Sequence, residues 1–137
     1  MYEIELYEDE NGYSEIAIYI KELQRKGIKN KESRIQFNKI VAYFDLLAEM
    51  GTRVGAPVTK HLEGDIWELR PLKHCFLYAY YEKGKFIVLH YFIKKTRKLP
   101  KRELEYAKAK LKNWLERKAK NDYMEKTKTR VESDNRR

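Results

Sequence analysis

Lys94, Lys95, Arg97 and Lys98 follow directly on an apolar run in HYFIKKTRKL (residues 90–99), and Lys101 and Arg102 continue the series past Pro100. Cations at the exit of a strand sit on a loop fixed by the framework. Such a group suits a phosphate, either as an electrostatic seat or by stabilising charge that develops at phosphorus during transfer. The helix expected from about Pro100 adds its unpaired N–H groups and the positive end of its dipole. Arg70 closes an earlier run, IWELR (66–70). Two reversals separate residues 66–70 from 86–93, so the two strands run the same way and end on one sheet edge. Arg70 and Lys94/Lys95 are therefore expected to converge. Tyr78, Tyr80 and Tyr91 lie nearby in sequence, and RNA sites combine phosphate-binding cations with rings that stack bases. The blander reading of a Lys/Arg run is a solvated loop, and tyrosine is a favoured strand residue in its own right.

Other chemistry finds little support. By alternation His90 shares a face with Phe86, Val88 and Phe92, which reads as a satisfied core histidine. His61 and His74 fall in or beside loops, isolated from any cysteine or carboxylate at metal-ligand spacing, so no metal site and no cofactor are expected. No Walker-type glycine loop and no GxSxG is present. Glu68 and Arg70, two apart on one strand face, are suited simply to pair. Without a carboxylate pair for acid–base work, catalysis here would run on cations and hydroxyls.

The elements that must position these residues follow from periodicity. Tyr2, Ile4 and Leu6 alternate with Glu3, Glu5 and Tyr7 as a short first strand, and Asn11-Gly12 breaks it. Ser14 is placed to cap a helix carrying Ile16, Tyr19, Ile20 and Leu23 at helical spacing, closed at Gly27. A second helix carries Phe37, Ile40, Val41, Phe44, Leu47 and Ala48 and ends at Gly51. Residues 52–60, with Gly55 and Pro57, read as loop. Strands are expected over 66–70, 75–81 and 85–93, the last two joined by a hairpin at Glu82-Lys83-Gly84. A final helix buries Leu104, Ala107, Leu111, Trp114 and Leu115. The order strand, two helices, three strands, helix predicts an α+β domain, with an N-terminal helical hairpin and a C-terminal helix packed on a small antiparallel sheet.

Composition bounds the setting. The 137 residues are 42% hydrophobic, enough for one domain with its own core. Thirty Lys and Arg against 21 Asp and Glu leave a net charge of +9, which favours a polyanionic or acidic partner. Residues 117–137 hold eight of the basic residues and four acids but few apolar ones past Lys120. That segment is expected to be a basic, flexible tail over 119–137, following a domain over 1–118. Cys75 is the single cysteine, compatible with a reducing compartment. MYEIELYEDE does not read as a signal peptide and no apolar run reaches membrane-spanning length, so a cytoplasmic protein with no membrane partner is expected.

Together the segments Lys60-x-Leu62-x-Gly64, Trp67-Glu68-Leu69-Arg70, His90-x-Phe92-x-Lys94-Lys95-Thr96 and Pro100-x-x-Glu103-x-x-x-Ala107 resemble the phage-derived, HigB-like branch of the RelE/ParE toxin superfamily, over roughly residues 14–118. The resemblance implies a RelE-like fold and the toxin of a type II toxin–antitoxin system. It further implies an endoribonuclease that cuts mRNA, usually on the ribosome, by attack of the substrate's own 2′-hydroxyl. It implies a cognate antitoxin, expected to be a helix-turn-helix protein. Carried over by position, Arg70 would clamp phosphate and Lys94 would stabilise the transition state or act as general base. Lys60, Lys73, Lys95, Arg97 and Lys98 would contact RNA. Tyr78, Tyr91 and His74 are candidates for the general acid. Family members usually carry an arginine where this chain has Phe76, and His74 stands two residues earlier on the same face. Two other readings stand beside this one: a non-catalytic RNA- or protein-binding module on the same fold, and a ParE-like inhibitor of DNA gyrase.

Overall fold

The computed structural model describes the backbone over residues 1–135 and side-chain surroundings over residues 1–128. The chain forms β1 (Glu3–Leu6), α1 (Glu15–Gly27), α2 (Lys31–Met50), a 3-10 turn (Gly51–Val54), β2 (Thr59–Glu63), β3 (Ile66–Leu69), β4 (His74–Glu82), β5 (Lys85–Ile93) and α3 (Lys101–Asn135). Local chemistry sets both helix starts. Ser14 Oγ accepts from the Ala17 N–H at 3.2 Å, and Asn30 Oδ1 accepts from the Ser33 N–H at 2.9 Å. Gly27 lies where α1 meets α2, and a Cβ there would come within 3.0 Å of Arg34 Cα. The β4–β5 hairpin turns at Gly84 with φ +75°, a conformation glycine adopts without strain.

The five strands make one sheet in the order β1-β5-β4-β3-β2. It is mixed, not antiparallel as expected, because β1 runs parallel to β5. The chain leaves β1, passes through the helical hairpin and three strands, and only then lays β5 alongside it in the same direction. The β2 strand was not expected, and its first two residues, Thr59 and Lys60, were read as the end of a loop. Its sequence, TKHLE, has little apolar alternation because it is an edge strand, with Lys60, His61 and Glu63 exposed.

Each face of the sheet is covered. The α1–α2 hairpin packs Ile16, Ile40 and Leu47 against Leu69, Phe76, Tyr78, Phe86 and Val88. On the other face α3 packs Ala107 and Trp114, with Leu104 and Leu111, against Ile66, Cys75, Leu77, Ala79, Ile87 and Leu89. Leu115, expected in that stripe, is 41% exposed. One residue beyond Trp114 turns it about 100° around the axis and off the sheet. Past Lys118, through the stretch expected to be a basic tail, the chain continues as helix to Asn135, and every described side chain from Ala119 to Lys128 is exposed; residues 136–137 of that stretch lie outside the described residues.

A break in the β4–β5 register decides which way the end of β5 faces. Leu77 pairs with His90 but Tyr78 pairs with Val88, so Leu89 is an extra residue in β5. Such a bulge reverses the alternation beyond it. Phe86 and Val88 face the hairpin, whereas His90 and Phe92 face α3, which corrects the expected sharing of one face by all four. His90 is satisfied there: its Nε2 meets the Glu103 carboxylate, and Nδ1 accepts from Lys110 Nζ at 3.0 Å. Burial, and then the Lys110 charge, holds this imidazole below its ordinary pKa.

Candidate nucleic-acid interface

The same bulge aims the exit of β5. Tyr91 turns to the hairpin side, where its ring stacks on Tyr19 of α1 at 4.4 Å, and Lys94 turns to the α3 side, toward Glu68 of β3. Arg70 lies one residue past the end of β3, where its N–H donates to the Val58 carbonyl at 3.0 Å. The link from β3 to β4 is short and bent. Pro71 is buried, Leu72 takes a left-handed conformation at φ +58°, and the His74 N–H donates to the Pro71 carbonyl at 3.2 Å. A side chain other than glycine at such a φ is uncommon, and held strain of this kind often marks a functional loop. The Lys94 N–H donates to the Lys73 carbonyl at 2.9 Å, which ties the exit of β5 to this link.

The result is a recess of about 330 Å³ at one sheet edge, lined by Arg70, Leu72, His74, Lys94, Lys95, Thr96 and Arg97. The expected convergence of Arg70 with Lys94 and Lys95 is therefore present, and Arg97 and His74 join it. Tyr91, Lys60, Lys73 and Lys98 do not line the recess. Lys73 and Lys98 are exposed on the flanking loops. Lys60 is exposed on β2 opposite Glu68, hence on the same sheet face one strand further out. Tyr78, a third candidate acid, is fully buried and bonded to Thr59 Oγ1 at 2.6 Å, far from solvent.

Charge is concentrated in this recess. Arg70, Lys95 and Arg97 are exposed, whereas the Lys94 side chain is only 12% exposed. Glu68, 1% exposed, reaches both Arg70 Nε and Lys94 Nζ at 3.7 Å and accepts from Cys75 Sγ at 3.3 Å. The expected Glu68–Arg70 pair is thus present, and Lys94 shares it. Burial and the neighbouring Glu68 carboxylate push the Cys75 thiol up, so it is protonated at neutral pH. Four cations against one buried carboxylate leave the recess positive.

Behind it stands an aromatic layer that sequence reading passed over. His74 is 1% exposed, and its Nε2 lies 2.5 Å from the Tyr19 hydroxyl. Burial, then the Lys73 charge, lowers the His74 pKa, while burial raises those of Tyr19 and Tyr91. At neutral pH the imidazole is neutral and both phenols hold their protons. Phe76 is fully buried beside His74, with ring centroids 6.1 Å apart, and lies edge-on to Phe44 at 5.2 Å. Phe76 and His74 share the face as expected. The position at which the resemblance leads one to expect an arginine is here a core position. No pattern in the sequence points to Tyr19, because its partners are 55 residues or more away in the chain.

No curated protein matches this sequence. A family model described as "Phage derived protein Gp49-like (DUF891)" matches residues 26–112, well over half of the chain. The match runs from the last turn of α1 into α3 and takes in every residue that lines the recess. The chain belongs to the phage-derived Gp49-like family, a family of RelE/HigB-like toxins.

Proposed function

We propose that this protein is the toxin of a type II toxin–antitoxin pair of the HigB-like branch, an endoribonuclease that cleaves mRNA on the ribosome. The observation that carries the reading is the gathering of Arg70, Lys94, Lys95 and Arg97 with His74 in one recess at a fixed sheet edge. Cleavage by a neighbouring 2′-hydroxyl forms a bond from the 2′ oxygen to phosphorus as the bond to the 5′ oxygen breaks. One proton leaves the 2′-hydroxyl, another is delivered to the departing oxygen, and negative charge builds on the phosphoryl oxygens between them. Arg70 and Lys94 meet that charge from two sides, and exposed Lys95 and Arg97 hold the flanking phosphates. Lys60, Lys73 and Lys98 extend the track outside the recess. Proton transfer falls to Lys94, His74 and Tyr91. Neutral His74 is fitted to accept a proton more than to give one, and Tyr91, protonated and stacked on Tyr19, reaches the recess only through that layer.

The cognate antitoxin, in this reading a helix-turn-helix protein, would cover the same positive edge. A second reading is favoured by one observation. With Phe76 buried where the resemblance leads one to expect an arginine, the recess lacks that one further cation, which suits a module that binds RNA without cutting it. The test is incubation of purified protein with programmed ribosomes and with free RNA, scoring 2′,3′-cyclic phosphate ends. Such ends, lost in Arg70→Ala, support the nuclease. RNA retained without new ends supports the module. Induction that halts DNA synthesis while translation continues would sink both in favour of gyrase inhibition.

A further inference from the structure

Glu68 is the only acidic side chain in β3 and is poorly placed for a solvated charge. It lies 1% exposed on the sheet face shared with Ile66, Cys75 and Leu77. Burying a carboxylate is unfavourable, and even when it is paired, an apolar side chain of similar volume often stabilises the fold as well or better. Its neighbours Ile66, Cys75 and Leu77 on that face are uncharged, and His90, across Leu77 at the same level, is already engaged by Glu103 and Lys110, so packing gives no reason for a charge at Glu68. The reason lies in what the carboxylate touches. Oε1 is 3.7 Å from Arg70 Nε and Oε2 is 3.7 Å from Lys94 Nζ. These two cations directly follow different strands, β3 and β5, and repel one another. A single carboxylate between them offsets that repulsion and fixes their spacing. Both contacts exceed hydrogen-bond length, so the N–H groups stay uncommitted. Among the described residues no side chain accepts a hydrogen bond from either cation, and Glu68 is the carboxylate within ion-pair distance of both.

We propose that Glu68 is a positioning residue that sets Arg70 and Lys94 as two prongs of one phosphate clamp. The kinetic consequence rests on the nuclease reading above, but the clamp itself does not. The full-length chain is compared as wild type, Glu68→Gln, Lys94→Ala and the double variant, each shown to unfold cooperatively. Inorganic phosphate is titrated while side-chain NMR signals of Arg70 Nε–H and the Lys94 ε-carbon are followed. The wild type is expected to give one dissociation constant for both signals, and Glu68→Gln two separate ones. A shared constant in Glu68→Gln, or a wild type in which neither signal moves, overturns the proposal.

Cleavage is then resolved into kcat and KM. A misplacement of about 1 Å costs up to about 100-fold in rate, so Glu68→Gln is expected to lose roughly 10- to 100-fold in kcat with a smaller change in KM. Adding Glu68→Gln to Lys94→Ala is expected to cost nothing further. Additive losses, or a Glu68→Gln variant that cleaves as fast as wild type or faster, overturn the proposal. A wild type that cuts no RNA defeats the nuclease reading and leaves the phosphate titration to judge Glu68. If Glu68→Gln does not fold, Glu68→Asp takes its place, retaining the charge but drawing it back by one methylene. It too is expected to separate the two phosphate constants, and a single constant overturns the proposal.

Discussion

Phe76 links the core to the recess, and its replacement separates two accounts of that position. The ring is fully buried, edge-on to Phe44 at 5.2 Å, beside His74 at 6.1 Å and Tyr91 at 6.1 Å. Phe76→Ala leaves a cavity under α2 that the rigid sheet cannot close. Removing a buried phenyl ring costs about 3–5 kcal/mol, a large part of the roughly 5–15 kcal/mol that holds a domain folded. With a urea m-value of about 2 kcal/mol/M, the unfolding midpoint should fall by about 2 M. Phe76→Arg, which places there the arginine expected from the resemblance, should destabilise at least as much, because its guanidinium would enter an apolar layer without a partner. The assay is urea unfolding followed by tryptophan fluorescence, with RNA cleavage measured on the same preparations. The reasoning is refuted if Phe76→Ala moves the midpoint by less than about 0.5 M, or if Phe76→Arg folds as stably as wild type and cleaves faster. Either result would mean that this position opens to the recess and not to the core.

Three other outcomes are expected. His74 and His90 both have pKa values lowered by burial, so below the ordinary histidine value of 6.5 the unfolded chain takes up protons that the native state refuses. Stability is then complete above that value and declines as pH drops below it; the urea midpoint should fall between about pH 7.5 and about pH 5.5, and a flat or rising midpoint would contradict the burial of both rings. Substituting Arg70, Lys95 or Arg97 by Ala should reduce the slope of log Kd against log salt for single-stranded RNA by about 0.7 each, and an unchanged slope would remove that residue from the phosphate track. A chain ending at Ala119 should unfold within about 0.5 kcal/mol of the full chain, since the described side chains beyond it are exposed; a larger loss would show that the end of α3 supports the fold.

What could be read in the sequence was whatever depended on local pattern. Ser14 before an amphipathic run, the apolar stripes of α1 and α2, and the aromatic strands β4 and β5 announced themselves because each signal lies within one element. The convergence of Arg70 and Lys94 was legible too, since counting reversals fixes strand direction without knowing the register. Features set by long-range pairing were not. β1 lies parallel to β5 because of where the chain returns, which no residue of β1 encodes. β2 hid because an edge strand has little need of apolar alternation. The extra residue Leu89 cannot be seen in FIVLHYFI, yet it moves His90 to the α3 side and turns Lys94 toward Glu68. Glu68 read as a simple partner for Arg70, because its second cation arrives from another strand.

The most direct test of the central claim is inducible expression of the wild type beside an Arg70→Ala, Lys94→Ala, Lys95→Ala triple variant, with primer extension on an abundant mRNA. The account predicts growth arrest and new mRNA ends with the wild type, both absent with a triple variant that still folds. Equal growth without new ends in either strain would contradict it, and would leave the positive edge as a surface that binds without cutting.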